Sequence, residues 1–341
     1  MTKRIWALDF GHDSAIVAVA EAKSGGEIHL LGGGESQTQG FIKGDLENVG
    51  DAAEAVVLAL RKAEKNSGLK CKALFFNVDD LALESCYSTG SKTLSGEGQI
   101  RSEDVREAME TALRMVGRFE KSCVYSCANG FLIDGKDWVA NPVGVFGRQL
   151  DVSMHAVLAR AEYCERWQKV IERSGLSLGI PVLSVLSAVY GVLSPEEQRR
   201  NILLWDLGLD YLSAALIREG SMHKVLVLKT GTLSSAETAE AVLAHSKKMN
   251  ENNSKFEEIV LTGDLAEKTT IVEAIQKQSE APIMVKGPWG VHGLQELRQA
   301  SLAGLLHVAA QSHKGSHSSN LGKNLFLGLR QKALSLVSEY F

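Results

Sequence analysis

The feature that most restricts the fold of this chain is a repeat. Residues 8–14 read LDFGHDS and residues 205–213 read WDLGLDYLS; shifted by 197 positions, Asp9 falls on Asp206, Gly11 on Gly208 and Asp13 on Asp210. Each stretch has an apolar run on either side, the pattern of a strand, a tight glycine turn and a second strand. The likeness continues past the turns. Strands are predicted at 4–10, 15–20 and 28–31, then a helix over 51–67 with Ala52, Ala55, Val56, Leu60 and Ala63 on one face and Gly68 as a stop, then a buried strand at 73–78. Downstream, strands fit 201–205, 213–217 and 224–228, a helix fits 236–249, and a strand fits 258–261. The order β-β-β-α-β therefore occurs twice. A unit of this length is a duplicated half-domain rather than a short solenoid period, and 341 residues suffice for two such lobes.

A duplicated β-β-β-α-β unit resembles the ribonuclease-H-like layout of actin, sugar kinases and the 70-kDa chaperones, an α/β architecture. In that layout the two glycine turns face each other across a cleft. Each offers backbone N–H groups to a phosphate chain, and an aspartate at each can position a divalent cation and its waters. Asp9, Gly11 and Ser14 in the first turn and Asp206 and Gly208 in the second are the candidate nucleotide residues. A bare D-x-G is also an ordinary hairpin turn, because Gly and Asp tolerate that geometry.

Residues 82–157 interrupt the first unit. Ser102, with Asp104 and Val105, is a plausible helix start, and Val105, Ala108, Met109, Ala112 and Met115 share a helical face. The stretch FLIDGKDWVANPVGVFGRQLDVSMHAV follows, with Asp134, Gly135, Asn141, Pro142, Val143, Gly144, Gly147, Arg148, Leu150 and His155 in order. This stretch resembles the extra subdomain, 1C, of the bacterial cell-division actin family FtsA. GFIKGDLENV at 40–49, LSVLSAVYGVLSPEEQ at 183–198 and APIMVKGPWGVHGL at 281–294 resemble further family segments in the right order. The resemblance implies an actin-like fold and a role in division or cytoskeletal assembly. It makes 1C, through Asp134, Asn141, Pro142, Gly144 and Arg148, a surface for self-assembly or partners. A pilus-assembly relative of PilM type is an alternative, and no sugar-kinase substrate motif is present.

Departures from the family touch the nucleotide site. Leu209 and Asp210 stand where the family has glycine, and Tyr211 and Leu212 replace its hydroxyls. A Cβ narrows the turn, and a carboxylate faces the place of a phosphate. Two like charges ~4 Å apart repel by ~1 kcal/mol in water and ~4 kcal/mol at an effective dielectric near 20. The adenosine segment keeps Gly263, but Asp264 follows it. Only residues 232–259 are available where the family inserts subdomain 2B, a wall of the cleft and a docking surface for the ring protein FtsZ. The expected fold is therefore FtsA-type with 1C kept and 2B missing. The expected activity is that of a scaffold rather than an ATPase, with no cofactor required and at most weak ATP and Mg²⁺ binding. The alternative is an ATP-binding, polymerising protein that tethers FtsZ.

The expected partition is 1–81 and 158–200 as subdomain 1A and the connecting helix, 82–157 as 1C, 201–310 as 2A, 311–322 as linker and 323–341 as a terminal helix. QSHKGSHSSN at 311–320 reads as a polar linker. His313 and His317 within it have helical spacing for a metal, but no cysteine or acid beside them. In the terminal helix Phe326, Leu329, Leu336 and Tyr340 lie on one face with Arg330 and Lys332 nearby, so it either packs on protein or, as in FtsA relatives, lies on the membrane surface. A net charge near −4 argues against nucleic acid as a partner. Five cysteines without disulfide spacing suggest a reducing compartment, and the close pair Cys123 and Cys127 lies in a strand-like run that suits packing better than metal. With no signal peptide and no run of ~20 apolar residues, the expected location is cytoplasmic, peripheral at the inner face of the cell membrane.

Overall fold

The computed structural model describes residues 2–42, 45–118, 120–231, 233–250 and 255–312. The proposed terminal helix, with Phe326, Leu329, Arg330, Lys332, Leu336 and Tyr340, and the pair His313 and His317 lie outside the described residues.

The first unit opens with β1 (Lys3–Phe10), β2 (Ser14–Ala22) and β3 (Ile28–Gln37), an antiparallel meander with Asp9 opposite Ile16. A short ribbon, β4 (Phe41–Ile42) and β5 (Asp45–Leu46), leads into α1 (Val49–Ser67). The Asn48 side chain accepts the Gly50 N–H at 2.8 Å at the start of α1, and Gly68, at φ 71°, ends it. The next strand, β6 (Ala73–Val78), is wholly buried and runs parallel to β1.

The chain then builds β7 (Glu84–Gln99), α2 (Ser102–Val116), β8 (Lys121–Ile133), β9 (Asp137–Val139) and β10 (Phe146–Arg160). Their sheet order is β7-β10-β8-β9, and α2 covers one face over a core that includes Ile100, Met109, Phe131, Leu150 and Met154. Ala108, Met109 and Ala112 face inward as the periodicity predicted, but Met115 is 74% exposed and Val116 takes the buried place. The cap of α2 is Arg101 rather than Ser102; its N–H donates to the Asp104 carboxylate at 2.8 Å. Cys123 and Cys127 sit on β8 and are not joined in a disulfide, the second fully buried.

From α3 (Ala161–Arg173) the chain passes through β11 (Leu178–Leu183), parallel to β6, and α4 (Ser184–Val192) to the second copy. This comprises β12 (Ile202–Leu207), β13 (Tyr211–Arg218), β14 (Ser221–Lys229), α5 (Ser235–Met249) and β15 (Glu258–Thr262). Between β14 and β15 the described residues hold α5 as the one helix or strand. There follow α6 (Thr269–Gln278), β16 (Ile283–Val285), β17 (Val291–His292) and α7 (Ala300–Ser312).

The duplication is visible strand for strand. The six-stranded sheet runs β11-β6-β1-β2-β3-β17, and the five-stranded sheet runs β16-β15-β12-β13-β14. In both, the first strand of the copy lies at the centre with an antiparallel meander on one side and a parallel strand on the other. Each sheet has its own core; in the second, Trp205 is fully buried and its indole N–H donates to Ser246 Oγ at 3.0 Å, which satisfies the one polar atom of a large apolar side chain. Helices α4 and α7 touch glycine to glycine: a Cβ on Gly304 would lie 1.6 Å from the Ser187 carbonyl, and one on Gly191 would lie 1.9 Å from that of Ala300. The chain divides into two compact units, one formed by residues 82–161 and the other by the segments on either side of them. Among the described residues no helix is long and apolar enough to cross a membrane.

Candidate functional site

The turn after β1 and the turn after β12 open onto one cavity of about 120 Å³. That volume accommodates a small cluster of waters. Both turns are fixed by their own hydrogen bonds. In the first, the Gly11 N–H donates to the Ser14 carbonyl at 2.9 Å, the Thr38 N–H to the Asp13 carbonyl at 3.0 Å, and Thr38 Oγ1 to the Gly11 carbonyl at 2.9 Å. In the second, the Thr230 N–H donates to the Asp210 carbonyl at 2.8 Å and Thr230 Oγ1 to the Leu209 carbonyl at 2.9 Å. Thr38 and Thr230 each follow the third strand of their copy. The repeat thus includes two threonines that the sequence comparison of the turns did not reach.

The cavity is strongly acidic. Asp9 is buried at the end of β1, where the Asn77 side-chain amide donates to Oδ1 at 2.5 Å. The Leu302 N–H, in the first turn of α7, also bonds to it. Burial, reinforced by the nearby Asp79 and Asp264 carboxylates, raises the Asp9 pKa from 3.8 to about 7. Asp79, just past β6, is raised to about 6, again by burial first, although the Ser184 hydroxyl beside it acts in the opposite direction. Asp206 is raised well above the usual carboxylate range by burial and then by Asp79, Asp9 and Asp264. Asp264 is raised by burial. Gly263 lets this cluster assemble: at φ +88° its absent Cβ would stand 2.4 Å from Asp206 Oδ1.

Two basic side chains line the cavity, His12 and Arg298. Arg298 is already engaged by Glu296 at 2.6 Å and Glu35 at 3.4 Å. His12 reaches from the first turn to the second, with Nδ1 2.8 Å from Asp210 Oδ2, while Nε2 lies 3.3 Å from Asp13. Asp210 raises the imidazole pKa, chiefly through this hydrogen bond.

Of the six nucleotide candidates, Asp9, Gly11, Asp206, Gly208 and Gly263 line the cavity. Ser14 does not; it contributes its backbone carbonyl to the turn. Sequence reasoning missed Asn77, Asp79 and His12. The signal for Asp79 was the acidic pair that ends a fully buried strand; nothing local marks His12. The chemistry of the donors fits ATP–Mg²⁺ poorly. Asp9 and Asp206 could hold a hydrated divalent cation, and among the described residues no group of three or more His, Cys, Asp or Glu side chains is arranged to bind a metal directly. Phosphates would meet the side chains of Asp210, Asp264 and Leu209 beside Gly208 and Gly263.

In the inserted unit, the proposed assembly residues largely build a loop. Asp134, at φ 51°, accepts the Arg148 and Gln149 N–H groups, each at 2.8 Å, and these bonds hold its pKa low. The Asn141 side chain accepts the Val143 N–H at 3.2 Å, Pro142 is buried, and Gly144 turns at φ +92°. Arg148 is exposed on β10. The prominent outward side chains of this unit are ones not foreseen, Trp138 at 64% and Phe146 at 68% exposure.

The duplicated sheets and facing turns define a protein of the actin-like fold, and a component of the "PilM-PilN type IV pilus biogenesis complex" superposes with a TM-score of 0.62 at 14% identity, covering 89% of this chain and 97% of that one. Residues 82–158 match the family described as the SHS2 domain inserted in FtsA. Cell division protein FtsA of Pseudomonas aeruginosa is 22% identical over 226 residues, which is 66% of this chain and 54% of that protein. FtsA of Borreliella burgdorferi is 25% identical over 228 residues, or 67% and 55%. This is an FtsA-like protein, and its match spans little more than half the length of those relatives.

Proposed function

We propose that this chain is a reduced FtsA-like protein that serves as a non-catalytic scaffold of the bacterial division or cytoskeletal machinery, with subdomain 2B lost. The observation that carries this reading is the cleft. Asp9, Asp79, Asp206, Asp210 and Asp264 all line it, against His12 and an already paired Arg298. A triphosphate brought there would be repelled by each carboxylate that is ionised, at ~4 kcal/mol per close pair for an effective dielectric near 20, and would find protonated, buried acids in place of cations at the others. Partner contact then falls to the inserted unit, as a 1C subdomain, through the 134–148 segment with its exposed Trp138 and Phe146. Membrane attachment falls to the apolar stripe of residues 323–341, and FtsZ is a partner to be tested. A second reading, an ATP-binding and polymerising tether for FtsZ, draws support from the paired Asp9 and Asp206 carboxylates at two glycine turns.

Titration calorimetry of the full chain with ATP and Mg²⁺ separates the two. The scaffold reading expects no heat of binding in the micromolar range and no nucleotide retained through gel filtration. Micromolar or tighter binding would decide for the tether.

A further inference from the structure

The geometry points to a built-in clasp: the His12–Asp210 bridge holds the two glycine turns together in the place where a bound ligand would otherwise bridge them. It rests in part on the reading above that phosphate does not occupy that place. Three observations carry it. The bridge links turns that belong to the two copies of the repeat, 198 positions apart in the sequence, with Nδ1 2.8 Å from Oδ2. Each turn is independently fixed by its threonine, so the bridge joins two preformed loops and is not needed to shape either. Without it, the facing turns would set Asp13 and Asp210 near each other with no cation bridging the two turns, in front of a cavity whose other acids are Asp9, Asp79, Asp206 and Asp264. His12 thus faces a carboxylate on each turn, Asp13 on its own and Asp210 on the other, whereas Arg298 is held by Glu296 and Glu35. Asp210 is only 16% exposed, so the hydrogen bond is sheltered from competing water on the acceptor side, whereas His12 at 47% can leave.

Helices α4 and α7, whose first residues line the same cavity, approach each other closely at Gly191 and Gly304. The clasp thus adds one side-chain link between the two turns at the mouth, beyond the packing of α4 and α7. Such a chain adopts its closed form without a nucleotide, and binding energy that relatives would draw from a ligand is supplied internally.

The test is amide hydrogen exchange of the full-length protein at a fixed pH of 6.5, followed by mass spectrometry. His12→Ala and Asp210→Asn are compared with wild type and with the exchanged pair, His12→Asp together with Asp210→His. Both single variants are at a turn and should fold. The expected result is exchange about fivefold faster in peptides covering 9–14 and 206–212, little change in β2 and β13, and protection regained in the exchanged pair; a factor of five corresponds to about 1 kcal/mol of local opening. Single variants that exchange like wild type at both turns would overturn the clasp. So would acceleration spread evenly over all strands, which marks general stability. ATP binding measured on the same preparations bears on the scaffold reading alone, so the two can fail separately.

Discussion

Replacing Asp9 by Asn should remove much of the pH dependence of stability of the unit that contains the cleft. The carboxyl has a pKa near 3.8 when unfolded and about 7 in the fold. A raised acid pKa means that the folded state binds the proton more tightly. Stability is therefore greatest below pH 3.8 as far as this group is concerned, falls as pH rises between 3.8 and 7, and is level above that. At 1.36 kcal/mol per pKa unit the loss approaches about 4 kcal/mol for the isolated group. Coupling with Asp79, itself raised to about 6, spreads the loss over both carboxyls. Asparagine keeps an oxygen to accept the Asn77 amide and cannot ionise. Urea unfolding at pH 5 and pH 8, followed by fluorescence and by exchange of β1 amides, measures the difference. Wild type should be less stable at pH 8 by a few kcal/mol, and Asp9→Asn should be more stable than wild type at pH 8 with a smaller difference between the two conditions. An equal difference in both proteins, or wild type that is more stable at pH 8, would refute the assignment of Asp9 as a desolvated acid among acids.

Two other substitutions probe separate parts of the chain. Gly90 on β7 lies under α2, where a Cβ would stand 2.1 Å from the Ala108 carbonyl; Gly90→Ala should destabilise the inserted unit by about 1–3 kcal/mol or more, seen as faster exchange and proteolysis confined to residues 82–161. Leu329→Glu tests the membrane proposal: wild type should sediment with vesicles containing anionic lipid at low salt and the variant should stay in the supernatant, whereas wild type that ignores such vesicles removes the membrane from the proposed function.

Periodicity located the strands and helices of the two repeated copies and α2 of the inserted unit, because apolar spacing reports directly on which side of a helix or strand is buried, but it did not place the strands of the inserted unit or α3, α6 and α7. It failed where the deciding contact was tertiary. The third strand was expected at 28–31, yet β3 continues through Gly32, Gly33 and Gly34 to Gln37. Gly32 and Gly34 lie where α1 sits directly on the strand: a Cβ on Gly34 would come 2.1 Å from the Ala59 carbonyl, and one on Gly32 2.9 Å from Ser67 Cβ. Met115 and Val116 are adjacent apolar residues at the frayed end of α2, and helical spacing alone could not choose between them. In the site, Asp9, Asp206 and their glycines were legible from the repeat, whereas the partners that set their chemistry come from strand ends and from the far half of the chain. Asp210 was foreseen as an obstacle to phosphate; that it grips His12 follows only from the way the two copies face each other.

Thr38 and Thr230 have a consequence for how such a protein can change over time. The backbone of each turn is tied to the strand edge by a threonine that lies well away from the first two strands of its copy in sequence. The loop shape inherited from a common half-domain therefore survives whatever happens at the carboxylates and glycines that the loop displays. Residues on the inner side can be exchanged one at a time, from phosphate-binding to phosphate-repelling, without passing through a misfolded form. A chain wired in this way can shed its chemistry and keep its architecture.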